Sequence, residues 1–117
     1  MARPDPRRAL GAAGEAAAAR WYEERGYEVV ARNWRCREGE LDLVLRTENV
    51  LVFCEVKTRT SDRFGSPFEA VTPTKQARLR RLATRWMQAE AAGFSPQVRF
   101  DVASVLAGRL EVYEAAF

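Results

Sequence analysis

The chain has 117 residues, of which 47% are hydrophobic and 30% charged, and this mixture predicts one globular domain rather than a disordered or fibrous protein. Histidine is absent, which excludes serine-histidine and cysteine-histidine catalysis, histidine proton shuttles and histidine-ligated zinc. The net charge of +3 is compatible with a polyanionic partner but does not require one. Any chemistry must therefore come from carboxylates, lysine, hydroxyl groups or a hard metal ion.

The N-terminal region has the charge of an export signal without its apolar length. Residues 1–8, rich in proline and arginine, are expected to be flexible, and Glu15 soon interrupts the alanine-rich stretch that follows them. The longest clearly apolar run, Val50 to Cys54, is far shorter than the roughly 20 residues that cross a bilayer. We therefore expect a single domain at 9–117, no membrane partner and a cytoplasmic location.

The predicted elements follow the order helix, three strands, helix, strand. Apolar residues recur at helical spacing over 9–25, and Gly26 follows where a C-terminal cap belongs. Alternating and β-branched residues predict the next three elements, strands at 29–33, 40–46 and 50–58. A loop at 59–71, containing Gly65 and Pro67, leads to the second helix.

That second helix has clear boundary signals. Thr72 and Pro73 are typical of an N-cap and a first-turn proline, and Gly93 ends the helical pattern after about residue 92. Two stretches then read as strands, 98–106 and 110–113. The order αβββαβ(β) predicts an α/β fold in which helices flank a mixed sheet, because the first three strands favour a meander and the second helix permits a parallel crossover.

The hairpin formed by the second and third strands brings four ionisable residues together. Symmetric pairing about its turn places Asp42 opposite Glu55. The same register places Glu40 opposite Lys57. Because side chains alternate along a strand, we expect all four on one face of the sheet.

Opposed carboxylates at the Asp42–Glu55 position repel each other, by on the order of 3 kcal/mol at about 5 Å and an effective dielectric near 20. A divalent cation between them offsets this repulsion, and oxygen ligands favour Mg²⁺ or Mn²⁺. Protonation of one carboxyl group, or pairing with Lys57, offsets it as well. The hairpin by itself leaves these three explanations open.

Lysine is rare in this chain, because only Lys57 and Lys75 among the 19 basic residues are lysine. A compact ammonium group can orient an attacking water or stabilise charge on a phosphoryl group, whereas a guanidinium group fits poorly beside a metal. We therefore weigh specific roles for both lysines against the alternative of ordinary solvated charges. Lys75 lies in the first turn of the second helix, on its apolar side, and should point toward the sheet.

The same helix carries a row of arginines at i, i+3 and i+7, namely Arg78, Arg81 and Arg85. We expect them on the side opposite the apolar face, where a row of this kind can contact phosphates, although a solvated face is the more usual explanation. Asp101, in the strand after the helix, is expected to be a structural anchor rather than a metal ligand.

Six short motifs occur in order over residues 9–106: Gly14-Glu15, Gly26-Tyr27, Arg32-Asn33, Gly39-Glu40-Leu41-Asp42-Leu43, Phe53-Cys54-Glu55-Val56-Lys57-Thr58-Arg59 and Phe100-Asp101-Val102. This ordered set resembles the bacterial YraN-like family. That family is similar to archaeal Holliday-junction resolvases and carries the restriction-endonuclease-like fold of the PD-(D/E)xK superfamily. An isolated aspartate followed by Glu-x-Lys would be a weak signal, but the whole set is specific.

The resemblance implies a metal-dependent nuclease that hydrolyses phosphodiester bonds in nucleic acid. We expect DNA rather than RNA as the substrate, recognised at a junction or an end because the sequence shows no evident extra domain for sequence recognition. The resemblance also implies that Asp42 and Glu55 bind Mg²⁺ or Mn²⁺ with the Val56 carbonyl group. Lys57 would act on the attacking water, and Glu15 would complete the site. Cleavage of two strands would require a homodimer.

Other roles are less closely defined. Glu40 lies on the same motif, and it either joins the site or neutralises Lys57. Lys75, Arg59 and Arg78 are the expected contacts to nucleic acid. Two other functions remain open: a nucleic-acid-binding module of a recombination or repair complex that no longer cleaves, and a structural or protein-interaction domain whose charged residues form a salt-bridge network.

Overall fold

The computed structural model describes residues 6–59, 71–91 and 96–117, which form a five-stranded sheet with two helices. The elements are α1 (Pro6–Glu23), β1 (Glu28–Cys36), β2 (Gly39–Thr47), β3 (Val50–Arg59), α2 (Pro73–Glu90), β4 (Gln97–Leu106) and β5 (Arg109–Tyr113). The predicted α/β class and the order αβββαβ(β) are confirmed, with β5 as the last strand. The fold is compatible with the restriction-endonuclease-like architecture.

The strands lie side by side in chain order, from β1 at one edge to β5 at the other. β1, β2 and β3 form an antiparallel meander, and the connection through α2 places β4 parallel to β3. β5 then returns antiparallel to β4. The mixed sheet predicted from the meander and the crossover is confirmed, and β3 is its central strand, which explains the apolar run at its start.

Each helix covers one face of the sheet. A hydrophobic core therefore lies on each face. The apolar side of α2 contributes to the core on one face: Leu79, Leu82, Ala83 and Trp86. Two small residues and an aromatic residue of α1 contribute to the core on the other face: Ala18, Ala19 and Tyr22. Along β3, Phe53 packs with α2 while Val52 and Cys54 pack with α1, as the period of two requires. The two cores therefore fix which face each residue of β3 presents.

The β2–β3 hairpin has the predicted register. Thr47 pairs with Val50, and the ladder continues to the pair Leu43–Cys54. Register is specified strongly here because a slip by one residue would exchange the side chains of the two cores. Asp42 and Glu55 come next, at the open end of the ladder.

The helix boundaries differ slightly from the predicted ones. α1 begins at Pro6 rather than Ala9, since proline is well suited to the first helical position. α2 begins after Thr72, whose hydroxyl group accepts the Lys75 N–H at 3.2 Å, and it ends at Glu90. The loop residues Gly65 and Pro67 and the expected helix stop at Gly93 lie outside the described residues. Within the described ranges, neither helix is long and apolar enough to cross a membrane.

Candidate functional site

The candidate site lies where β2 and β3 separate. Beyond the pair Leu43–Cys54 their ladder ends, although β3 stays paired with β4 as far as Arg59. Asp42 Oδ2 instead accepts a hydrogen bond from the Val56 N–H at 2.8 Å. The Asp42 carboxylate therefore takes the place of a β2 backbone carbonyl, which fixes its position in the fork between the strands.

The backbone of β2 turns at Asp42. Leu41 and Leu43 would share a face of a regular strand, yet Leu41 packs in the α2 core and Leu43 in the α1 core. On the neighbouring strand β1, Asn33 lies between the residues that pair with these two leucines and has a φ of 51°. Asparagine tolerates this left-handed conformation better than most residues. The irregularity explains why Asp42 reaches Val56 rather than forming a ladder pair with Glu55, as the sequence suggested.

Glu55 and Lys57 lie on one face of β3 and form an ion pair of 2.9 Å between Oε1 and Nζ. Their side chains are only 12% and 22% exposed, so solvent screens the pair weakly. The Lys57 amine also lies close to the Lys75 amine, which comes from the first turn of α2. The prediction that Lys75 points toward the sheet is confirmed, and the two lysines of the chain meet beside Glu55.

The titration properties of Asp42 reflect this crowding. Burial and, less strongly, the charge of Glu55 raise the pKa of Asp42 to about 7, although the hydrogen bond from Val56 opposes both effects. Two of the explanations that the sequence left open are therefore present together: Glu55 is paired with Lys57, and Asp42 is readily protonated near neutral pH.

The pKa values of the two lysines are also shifted, in opposite directions. Burial by itself lowers the pKa of Lys57, but the charge of Glu55 and the contact with Lys75 outweigh burial and raise it. Burial and the neighbouring Lys57 lower the pKa of Lys75. Lys57 is thus held in its charged form, while Lys75 gives up its proton more easily than an exposed lysine.

Glu15 reaches the site from α1. Burial raises the pKa of Glu15, a hydrogen bond with the Asn33 side chain lowers it, and the charges of Glu40 and Glu55 raise it again. Gly14 is what allows this approach, because a Cβ atom there would overlap Thr58 Oγ1 of β3. Glu15 therefore belongs to the same electrostatic cluster as Asp42 and Glu55, and Asn33 is a supporting residue to which the sequence assigned no role.

Glu40 does not neutralise Lys57, so that alternative is excluded. Its carboxylate pairs with Arg35 Nε at 3.1 Å across the β1–β2 turn. The expected ladder pair between Glu40 and Lys57 does not form because the ladder ends at Leu43–Cys54. Glu55 takes the role of counter-ion instead.

The row of arginines on α2 is not opposite the apolar face, so that prediction is also wrong. It lies on a flank, where Arg85 Nε is 2.7 Å and Arg81 Nε is 3.9 Å from the carboxylate of Glu38 in the β1–β2 turn. Arg78 lies beside Gly39 of the same turn. The sequence assigned Glu38 no role, because its partners Arg81 and Arg85 lie more than 40 residues later in the chain.

The remaining residues singled out from the sequence have clear positions. Arg59 is the last residue of β3, where it is half-buried and its carbonyl accepts the Ala107 N–H at 3.0 Å. It lies at the same end of the sheet as Lys75. Asp101 is fully buried and accepts hydrogen bonds from Tyr22 and Arg99, which confirms it as a structural anchor.

The donor set fits a hard metal ion that keeps part of its water. Among residues 6–59, 71–91 and 96–117, no three acidic or cysteine side chains are close enough to form a ready-made metal site. Asp42 and Glu55 would supply two carboxylates, and the Val56 carbonyl points to the same side of β3 as the N–H that Asp42 holds. Mg²⁺ commonly binds through one or two carboxylates with several waters, whereas a structural zinc site needs four protein ligands.

Comparison with known proteins places the chain in a family. Residues 14–105, from Gly14 of α1 to Val105 of β4, match the model of "Uncharacterised protein family UPF0102". A UPF0102 protein of Beutenbergia cavernae is 59% identical over 101 residues, covering 86% of this chain and 85% of the relative. Another from Mycolicibacterium vanbaalenii is 49% identical over 114 residues, covering 97% and 93%. The chain therefore belongs to the UPF0102 family, the YraN-like family that its motifs resemble.

Proposed function

We propose that this protein is a metal-dependent nuclease that hydrolyses phosphodiester bonds in nucleic acid. The observation that carries the proposal is the fork between β2 and β3, where Asp42 is fixed on the Val56 N–H beside Glu55 and Lys57. Two carboxylates and an ammonium group, all partly buried and close together, favour a hard cation and a phosphate as ligands. Mg²⁺ or Mn²⁺ bound there would polarise the phosphate and lower the pKa of a bound water.

The residues of the chain have distinct roles in this proposal. Asp42 and Glu55 hold the ion, with the carbonyl of Val56. Lys57, kept charged by Glu55, orients the attacking water and stabilises the charge that develops on the phosphate. Glu15 adds a carboxylate from α1, where it can accept a hydrogen bond from a metal-bound water.

We infer that the substrate is DNA rather than RNA, recognised at a junction or an end. What supports this inference is the similarity of the YraN-like family to archaeal Holliday-junction resolvases. A homodimer would supply two sites for two strands. The mild positive charge of the chain is compatible with a polyanionic substrate.

The test is a cleavage assay on labelled single-stranded, duplex, flapped and four-way junction DNA and on RNA, with Mg²⁺ or Mn²⁺. Asp42→Asn keeps an acceptor for the Val56 N–H but removes the charge, and Lys57→Met keeps the length of the side chain. We expect each variant to cut at least ~100-fold more slowly than wild type, as removal of a group that stabilises the transition state usually does. Glu48→Gln, at the exposed turn of the same hairpin, is the matched control and should cut like wild type.

Each outcome is decisive. Metal-dependent cutting that both site variants lose establishes the nuclease and its preferred structure. Cutting that persists in Asp42→Asn and Lys57→Met would show that the activity arises elsewhere.

A second candidate is a nucleic-acid-binding module that does not cleave. The observation that favours it is the engagement of both carboxylates by protein groups, Asp42 by the Val56 N–H and Glu55 by Lys57. This candidate predicts binding to the same DNA structures and no product with either metal ion. It also predicts that Asp42→Asn binds DNA at least as well as wild type, because the variant carries one negative charge fewer.

A further inference from the structure

A basic surface lies beside the candidate site, between the β1–β2 turn and α2. We define it as the basic flank, made of Arg37 in the turn and Arg78, Arg81 and Arg85 on the helix, with one acid among them, Glu38. Two of its arginine side chains are well exposed, Arg81 at 61% and Arg85 at 58%. Their guanidinium groups are therefore accessible to a large ligand.

The basic flank has a net positive charge of its own. Its four arginines and one glutamate give +3. A local excess of positive charge attracts a polyanion more effectively than the same charge spread evenly over the surface.

The flank is continuous with the site. Lys75, which lies close to Lys57, and Arg85 are ten residues apart on α2, or about 15 Å at 1.5 Å per residue. Arg78 and Arg81 lie between them along the same side of the helix. A row of this length can contact more than one phosphate of a nucleic-acid strand.

Glu38 lies at the centre of the flank and competes with such a ligand. It bridges Arg81 and Arg85, at 3.9 and 2.7 Å, and its own side chain is 33% exposed. Exposed ion pairs of this kind contribute only about 0–1 kcal/mol, so a phosphate can displace Glu38 at little cost. The pairs also hold the two guanidinium groups in place over the turn.

We propose that the basic flank binds the nucleic-acid backbone on one side of the phosphate that enters the site, and that Glu38 weakens this binding. The proposal rests on the proposed function for the identity of the polyanion. An anionic membrane surface is the less suitable ligand, because binding at a membrane needs apolar anchors. Among the described residues the exposed large apolar side chains are Leu10 and Val98, and neither belongs to the flank.

The test measures binding without cleavage, by fluorescence anisotropy of a labelled duplex of about 20 base pairs in EDTA, from about 50 to 200 mM salt. For Arg81→Gln with Arg85→Gln, we expect affinity to fall by about tenfold and the slope of log K against log salt to decrease by about 2. For Glu38→Gln, we expect affinity to rise by about threefold, since a competing charge is removed.

Two control variants make equal charge changes elsewhere. Arg20→Gln with Arg25→Gln removes two exposed charges at the end of α1, and Glu48→Gln removes one in the β2–β3 turn, at the other end of the hairpin from Glu38. Both should stay within about twofold of wild type, because the salt screens charges beyond about 10 Å. Circular dichroism checks that every variant is folded. If the controls shift binding as much as the flank variants, only net charge matters and the proposal is overturned.

The failure of this proposal differs from the failure of the proposed function. If flank variants lose DNA binding and no substrate is ever cut, the proposal for the basic flank is supported and the nuclease proposal is not. If Asp42-dependent cutting occurs while flank variants bind DNA like wild type, the nuclease proposal is supported and the proposal for the flank is wrong. Vesicles containing phosphatidylserine form a parallel arm, and loss of vesicle binding without loss of DNA binding would also overturn the proposal.

Discussion

Asp42 is a carboxylate that the fold holds where its charge is unfavourable. It lies in a fork of the sheet beside Glu55 and close to Glu15, and its pKa is raised to about 7, mainly by burial. A group in that position lowers the stability of the folded protein when it is ionised. Natural proteins keep such groups where function needs them, which links the geometry of this residue to two predictions.

The first prediction concerns Asp42→Asn and pH. The pKa of Asp42 is about 7 in the folded protein against an ordinary value of 3.8, so the folded state binds the proton more tightly than the unfolded chain does. The contribution of Asp42 to stability is therefore fully present below about pH 4 and is lost as the pH rises through about 7. Asparagine does not ionise and so does not lose stability in this way. At pH 8 we expect the free energy of unfolding of the variant to exceed that of wild type by on the order of 2 kcal/mol, and its Tm to be about 8 °C higher.

Thermal unfolding in EDTA at several pH values between about 4 and 8 measures this gain. The difference in Tm between variant and wild type should grow from pH 4 to 7 and then level off. Glu48→Gln, which removes an exposed carboxylate, should show no such trend. A variant that is less stable than wild type at pH 8 would contradict the raised pKa.

The second prediction concerns the metal ion. An ion that binds the folded protein alone stabilises it by about 2.7 kcal/mol at a concentration one hundred times its Kd. We expect Mn²⁺ to raise the Tm of the wild type at pH 8 and to leave the Tm of Asp42→Asn unchanged. Equal Mn²⁺ effects on both proteins would show that the ion binds elsewhere.

Single residues also show what the sequence could predict of the site. The rarity of lysine indicated Lys57 and Lys75, and the two side chains meet. The partner of Lys57 could not be predicted, because the choice between Glu40 and Glu55 depends on where the β2–β3 ladder ends. That end coincides with the irregular backbone opposite Asp42, which no spacing in the sequence reveals.

At the scale of elements, the order and the register followed from the sequence because both depend on short-range rules. Alternation of side chains and a two-residue turn determine the register of the hairpin. A helix that begins with the N-cap Thr72 and Pro73 provides the crossover from β3 to β4. The faces of the helices were harder to predict. Arg81 and Arg85 were expected opposite the apolar side, but their partner Glu38 lies in a turn more than 40 residues earlier in the chain.

The third prediction concerns the contact between α1 and β3. A Cβ atom on Gly14 would overlap Thr58 Oγ1, so we expect Gly14→Ala to push the helix away and to cost about 1–3 kcal/mol. Gly11 is the matched control, because a Cβ atom there has nothing within 4 Å. Gly11→Ala should stabilise the protein by about 0.5–1 kcal/mol, the usual gain in a helix. Urea unfolding of the two variants measures both values.

A double variant separates crowding from other causes. Thr58 Oγ1 is buried and has no hydrogen-bond partner in the described structure, so removing it costs little. Thr58→Ala should therefore recover most of the stability that Gly14→Ala loses, with a coupling energy of at least about 1 kcal/mol. Simple additivity of the two substitutions would show that the overlap is not the cause.

At the scale of the whole molecule, one buried carboxylate connects the elements on which the site depends. Asp101 of β4 accepts a hydrogen bond from Tyr22 of α1 at 2.6 Å and two from Arg99 at 2.9 Å. It also accepts the Ala115 N–H, at 3.0 Å, from the segment after β5. The sequence indicated an anchor at Asp101, but not these partners, because Tyr22 is 79 residues away and contacts of that range depend on the finished fold.

The fourth prediction follows from that network. Asp101 is fully buried, and Asp101→Asn removes the nearer counter-ion of Arg99, leaves it only Glu114 at 3.9 Å, and replaces one acceptor oxygen by a donor that faces other donors. Breaking a buried pair in this way costs about 3–5 kcal/mol. Tyr22→Phe removes one hydrogen bond and leaves the charges paired, so it should cost only about 1–2 kcal/mol.

Because Asp101 holds α1 against the sheet, Asp101→Asn should also increase hydrogen exchange in α1 and in the segment after β5 together. Loss of protection in only one of these two segments, or equal costs for the two substitutions, would show that Asp101 does not unite them.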